Sequence, residues 1–407
     1  MDGAMPSHLK TLSCRGVREI AAEMFSGCGA DNVGVEVEWP VFGVATLERP
    51  TMDILTPLTT EPLPADSRIT IEPGGQIELS TLPHTSASAA LAAVDTDATE
   101  LRDRLRSYSF TMAECAVDTV RAPQRILDKP RYAAMESFYA ARGDEGLWMM
   151  ANTASVQVNL SHRPGGGHLR WYALNRIGPV LIAMFANSPG LGPDGSRWRS
   201  LRQAIWKGID PGRTRPVPVG DSPVHDWASY ALAADVFYIN TEQGHAVAPG
   251  MSFGDWLTNG HELGWPTADD LRYHLTTLFP PIRPRGWLEL RMLDALTPDV
   301  RQVAVHVAAT AADDEVCARI LELPDTHHLW TIAARDGLAH PVLAKGARTL
   351  VATAVSALSS APETSSAADE ILGFAEEYTH RGRCPGDDRP DLTVPAFQRR
   401  MAATRAR

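Results

Sequence analysis

Residues 69–80 read ITIEPGGQIELS, and the alternation in this stretch limits what the chain can become. Successive side chains of a strand point to opposite faces. Ile69, Ile71, Ile77 and Leu79 therefore share one face only if the loop between the two halves has an odd number of residues. A three-residue loop, Pro73-Gly74-Gly75, satisfies this. A two-residue Gly74-Gly75 loop would set Glu72 against Ile77 and break the pattern. The odd-length hairpin is expected, with Thr70, Glu72, Gln76, Glu78 and Ser80 on its second face.

Three more segments follow the same scheme. In VGVEVEW (33–39), Val35, Val37 and Trp39 oppose Gly34, Glu36 and Glu38. In TASVQVNLS (153–161), Ala154, Val156, Val158 and Leu160 oppose Thr153, Ser155, Gln157 and Asn159. In RGWLELRML (285–293), Leu288, Leu290 and Met292 oppose Trp287, Glu289 and Arg291. This last segment lies among helical stretches, and the candidates for its strand partners lie mostly before residue 161. One intertwined α+β domain over 1–407 is expected, with sheet-forming segments at 33–161 and 285–293 and a helical part at 298–407. Helical spacing also fits 87–107, 168–187 and 267–278, and later PDVRQVAVHVAATAADD, THHLWTIAARDG and HPVLAKGARTLVATAVSAL.

Any one of these strands alone fits a half-solvated sheet with a polar outer face. Together they carry five Glu and no Lys, alternating with Gln, Asn, Ser and Thr. Five carboxylates lining one cleft raise one another's pKa values, and divalent cations relieve that penalty. Oxygen donors suit Mg²⁺ or Mn²⁺, and the absence of His/Cys ligands argues against zinc. An acidic, oxygen-lined pocket holding Mg²⁺ is a common partner of a nucleoside triphosphate. No Walker A, kinase or Rossmann glycine pattern is present, so ATP chemistry here needs another scaffold.

Composition narrows the partners. A net charge of −11 disfavours a broad surface for nucleic acid or anionic lipid. The N-terminal MDGAMPSHLKTLSC lacks a signal-peptide pattern, and GPVLIAMFANSPG (178–190) is too short and broken to span a bilayer, so a soluble cytoplasmic protein is expected. Five scattered cysteines favour reduced thiols. The sequence carries no signal for oligomeric state.

The stretches GVEVEW, ITIEPGGQIELS, RYAAM (131–135), LWMMANTASVQVNLS (147–161), GIDPGRTRPVPV (208–217) and WLELRML (287–293) resemble, in order, the plant and proteobacterial type of glutamate–cysteine ligase. That family belongs to the glutamine-synthetase-like carboxylate–amine ligases. The resemblance spans roughly residues 34–300 and is strongest toward the actinobacterial ligase that opens ergothioneine biosynthesis. It implies a curved antiparallel sheet forming a funnel backed by helices. It also implies ATP-dependent joining of the glutamate γ-carboxylate to the cysteine α-amine, through a γ-glutamyl phosphate, with two or three Mg²⁺ or Mn²⁺ ions. The implied metal ligands are Glu36, Glu38, Glu72, Glu78 and Glu289. Arg291, and less securely Arg213 in a loop, match arginines beside the substrate and the transferred phosphate. Gln157 either coordinates weakly or contacts nucleotide, and Asn159 and Thr153 join it as nucleotide-side candidates. A sibling ligase with another amine substrate, or a silent metal-binding homologue, shares these motifs.

Other residues carry weaker signals. Trp148, Met149 and Met150 either line an amino-acid pocket or pack in the core. Arg131 and Tyr132 match the family, yet helix packing is the simpler assignment. His327 and His328 are adjacent on a helix and point apart, which disfavours a metal pair. GGGH (165–168) reads as a loop before a helix, with phosphate binding the weaker alternative.

Overall fold

A computed structural model describes residues 11–27, 29–163, 168–360 and 362–394. Cys28 and most of GGGH lie outside the described residues. The central feature is a 6-stranded sheet whose neighbours, in spatial order, are Ile282–Pro284, Trp287–Asp294, Ser155–Ser161, Val33–Trp39, Ile77–Ser80 and Arg68–Ile71. Every neighbouring pair runs antiparallel. The late strand pairs with Ser155–Ser161, so the sheet is drawn from distant parts of the chain.

The hairpin has the three-residue loop that alternation demands. Ile71 pairs with Ile77 and Thr70 with Glu78. The Glu72 N–H donates to the Gln76 carbonyl at 2.9 Å, and the Gly75 N–H donates to the Glu72 carbonyl at 2.9 Å. Pro73 supplies the fixed φ at the first corner, and Gly75 takes φ +83°, a left-handed backbone that side chains resist. Gly74 is required for a different reason: a Cβ there would sit 2.3 Å from the Ala151 carbonyl oxygen. Arg49 staples turn to helix end, donating to the carbonyls of Gly74 (2.9 Å) and Ala151 (3.0 Å).

One face of the sheet is the core. Val35, Val37, Trp39, Ile77, Leu79, Val156, Val158, Leu288 and Leu290 are all at 0 % exposure. They pack beneath the helices Ala87–Ser107, Leu169–Phe185 and Pro298–Thr310. Burial of so much apolar surface in one contiguous cluster supplies the main favourable term for folding. It also leaves the opposite, polar face as the only place where the sheet can present chemistry.

The C-terminal helices follow their apolar spacing, with one local difference. His327–Leu329 forms a 3-10 turn before the helix Trp330–Asp336. His327 Nε2 lies 3.1 Å from the Val217 carbonyl, a structural tie. No helix among the described residues is long and apolar enough to cross a membrane.

Candidate active-site cleft

The polar face opens into a cleft of about 450 Å³. Glu36, Glu38, Glu72, Glu78 and Glu289 all line it, with Gln157, Thr153 and Arg291. Each acid reaches the cleft by strand alternation: Glu36 and Glu38 from the first strand, Glu78 directly across from Glu38, and Glu72 beside the turn.

Four of these acids share one condition. Among the described residues, no Lys, Arg or His forms an ion pair with Glu36, Glu38, Glu72 or Glu78. Neutral groups hold Glu36, Glu38 and Glu78 instead. The Asn159 amide donates to Glu36 at 2.8 Å, and the Gln157 amide donates to Glu38 at 3.0 Å. The Thr70 hydroxyl donates to Glu78 at 2.6 Å, with Ser80 at 3.3 Å. Burial and mutual repulsion push all four upward. Burial, then the charges of Glu289 and Glu78, raise Glu36 to about 7. Burial and Glu78 lift Glu72 well above the ordinary carboxylate range. Burial outweighs Arg202 and Arg291 at Glu38, and burial with Glu38 raises Glu78. Four crowded carboxylates without an ion-pair partner, among other oxygen-bearing side chains, are what a divalent ion of the Mg²⁺ type needs.

Glu289 is different. It is fully buried, with Oε2 at 2.6 Å from Arg283 and 3.0 Å from Arg291, and Oε1 at 3.2 Å from Arg285. Burial alone would raise its pKa, but Arg283 and Arg291 hold it far below the ordinary value. Arg285 is 43% exposed, so Oε1 is the oxygen with the more easily displaced partner.

Arg291 is the hub of the site. Its Nη1 donates to Gln157 Oε1 at 2.6 Å while also contacting Glu289. Its own N–H extends the ladder with the edge strand Ile282–Pro284, donating to the Pro281 carbonyl at 2.8 Å, while on the other side the register with Ser155–Ser161 shifts between Leu290 and Leu293. Such a bulge re-aims a side chain, here toward the cleft. Gln157 therefore links Arg291 to Glu38 as a bridging amide. Asn159 stands behind Glu36 and accepts from the Trp287 indole at 3.1 Å. The Thr153 hydroxyl donates to the Met149 carbonyl at 2.8 Å.

Arg213 departs from expectation. Its guanidinium is fully buried and committed to Asp210 (2.8 Å), to the Thr277 carbonyl (2.9 Å) and to the Asp235 carbonyl. It packs between Phe138 and Phe237 and does not line the cleft, so the structure gives it a packing role. Trp148 is core, whereas Met149 and Met150 line the cleft. Arg131 and Tyr132 also face the cleft, correcting the simpler packing assignment. Trp287 lines the cleft as alternation expects, whereas Arg68, Arg283, Arg285, Trp206 and Phe279 complete walls that alternation did not single out. For Arg283 and Arg285 the sequence signal was proximity to a matched motif.

Comparison with known proteins identifies the relatives of this chain. The profile of Glutamate-cysteine ligase family 2 (GCS2) matches residues 32–393. The glutamate–cysteine ligase EgtA of Mycolicibacterium smegmatis is 37% identical over 374 residues, covering 89% of this chain and 87% of that protein. The protein of the same name from Mycobacterium tuberculosis is 35% identical, covering 97% of this chain and 94% of the relative. Among solved structures, a Francisella tularensis glutamate–cysteine ligase in complex with AMP superposes with a TM-score of 0.53 at 13% identity, covering 94% of this chain and 95% of that one. A bifunctional glutathione synthetase from Pasteurella multocida gives 0.53 at 14% identity, covering 98% of this chain and 55% of the longer protein. At these identities the two structures share the fold alone: helices around an antiparallel sheet. Taken with the span of the profile match and the two close relatives, this chain belongs to glutamate–cysteine ligase family 2.

Proposed function

We propose that this protein is an ATP-dependent ligase that joins the γ-carboxylate of glutamate to the α-amine of cysteine, the opening step of ergothioneine biosynthesis. One observation carries the reading: in a chain of this family, four unpaired carboxylates and a fixed arginine converge on one cleft. The unit of function is the whole chain, acting in the cytoplasm on small molecules.

Glu36, Glu38, Glu72 and Glu78 would hold two or three Mg²⁺ or Mn²⁺ ions, with Glu289 Oε1, paired to the exposed Arg285, as a fifth ligand. Ions bound there would supply positive charge to neutralise the ATP phosphates and the transferred group. Every other task falls to the chain. Arg291, oriented by Glu289 and Gln157, offers its fork to the phosphoryl oxygens as the glutamate γ-carboxylate attacks. Arg283 keeps the Glu289–Arg291 pair in place from behind. Gln157 and Thr153 face the nucleotide, and Asn159 positions Glu36. Met135, Met149, Met150, Tyr132 and Phe279 give the cleft an apolar end suited to the amino-acid substrates. The cysteine amine then displaces phosphate from the γ-glutamyl phosphate. Positioning and charge neutralisation supply the acceleration, and no covalent protein intermediate is needed.

Coupled ADP release, measured with glutamate and a panel of amines, tests the reading. Cysteine should stimulate most. Stimulation by a different amine identifies a sibling ligase, and no ADP release with any amine points to a silent homologue.

A further inference from the structure

Trp206 walls two cavities. One is the acid cleft; the other, of about 240 Å³, is walled also by Trp198 and Trp330. Lys207 and Arg215 line this second cavity, and no Asp or Glu does. The Lys207 ammonium lies 5.9 Å from the Trp198 ring centroid. Among the described residues, neither Lys207 nor Arg215 forms an ion pair, whereas Arg291, Arg283, Arg213 and Arg301 all do. In a chain of net charge −11, two unpaired cations beside flat indole walls select for a particular ligand. The walls suit a planar ring, and the cations suit an anion. A zwitterionic amino acid would bring an ammonium that finds no carboxylate here.

The cavity also touches the working strand at three places. Arg202 lies 5.1 Å from the Trp206 ring and donates to the Arg291 carbonyl at 3.1 Å. Gln203, another wall residue, donates to the Met292 carbonyl at 2.8 Å. Pro281, a third, accepts the Arg291 N–H at 2.8 Å. The helix that carries Trp206 and Gln203 is anchored to the same strand, because its cap residue Ser200 donates to Asp294 at 2.8 Å. An occupant that moves Trp206 or Pro281 therefore moves the backbone that aims Arg291.

We propose that this cavity is a regulatory site for a small aromatic carboxylate, its ring held among Trp198, Trp206 and Trp330 and its carboxylate between Lys207 and Arg215. The regulatory part rests on the ligase reading; the binding part does not. Calorimetric titration of the full chain with 2-naphthoate and with neutral 2-naphthamide tests binding without reference to activity. The carboxylate should bind saturably, and the amide about tenfold more weakly or not at all. The double variant Lys207→Gln/Arg215→Gln changes only exposed side chains and should weaken naphthoate by about tenfold. In the coupled assay, saturating naphthoate should shift the KM for glutamate at least about threefold in the parent enzyme. The variant should keep the parent KM and lose the shift. Absence of saturable binding, equal affinity for the amide, or undiminished binding by the variant overturns the site. Binding with an unshifted KM in an active enzyme overturns the regulation. If the protein releases no ADP with glutamate and cysteine, the ligase reading falls while the titrations still decide the site.

Discussion

The two flanks of the cleft use the same residue in opposite ways. On the hairpin side, Glu36, Glu38, Glu72 and Glu78 form no ion pair among the described residues, and burial with mutual repulsion outweighs the more distant Arg291 and pushes them toward protonation. On the late strand, Glu289 is enclosed by three guanidiniums and stays ionised. The lesson is that a carboxylate's role follows from its counter-charges. The first set lacks cations and gains from binding them. The second has its cations built in and uses them to aim Arg291.

Neutralising one member of each flank should therefore give opposite results in the metal-free protein. Glu289→Gln leaves buried arginines uncompensated and should cost about 3–5 kcal/mol of stability. Glu78→Gln relieves repulsion and should raise the melting temperature by a few degrees. Both variants should lose ADP formation by about 10³-fold, since each disturbs charge stabilisation at the phosphoryl group. A metal-free melting curve of each variant breaks or upholds the contrast. Two destabilised variants would mean that the hairpin acids are already satisfied.

Arg213 sharpens the comparison from outside the cleft. Arg213→Ala removes the nearer of two guanidinium partners of buried Asp210, leaving Arg142 at 3.5 Å, and should cost about 3–5 kcal/mol. A catalytic arginine would instead lose turnover at unchanged melting temperature. Gly74→Ala comes next: its Cβ would collide with the Ala151 backbone and shift the turn between Glu72 and Glu78. About 1–3 kcal/mol of destabilisation is expected, read by chemical denaturation. The metal affinity should drop with it.

The smallest effect is the pH dependence of the metal-free protein. A carboxyl whose folded pKa lies above its unfolded value binds its proton more tightly when folded, so stability falls as pH rises between the two. For Glu36 that window runs from 4.5 to about 7. Glu289 has the reverse sign: its contribution is complete above its ordinary value of 4.5 and is lost only in stronger acid. Melting temperature should thus decline by a few degrees from pH 5 to 8, and added Mg²⁺ should remove the decline.

The acid face was legible because strand alternation is local and has period 2. Thr70, Glu72 and Glu78 could be assigned to one side from ITIEPGGQIELS alone, and the odd loop followed from the same count. The late strand could be placed because its other strand candidates lay mostly before residue 161, although the adjacent Ile282–Pro284, which alternation did not flag, pairs with it too. The walls were not legible. Arg68, Arg131, Tyr132, Trp206 and Phe279 come from an edge strand, helices and a loop, where no periodicity says which neighbour a side chain meets. Arg213 was misplaced for that reason: its loop matched a family motif, but only three dimensions reveal Asp210, Thr277 and Asp235 around it. Nor could spacing reveal that Glu289 differs from the other acids, because Arg283 reaches it across the short hairpin Ile282–Pro284/Trp287–Asp294.

The most direct test of the central claim is proton release on cation binding. Titrating Mn²⁺ or Mg²⁺ into the protein by calorimetry, in buffers of different ionisation enthalpy, counts the protons displaced. Crowded carboxylates with raised pKa values must shed protons to take up a cation, so release should grow as pH falls from 8 to 6, and should shrink in Glu78→Gln. Cation binding with no proton release at pH 6, or no binding at all in this range, would contradict the account.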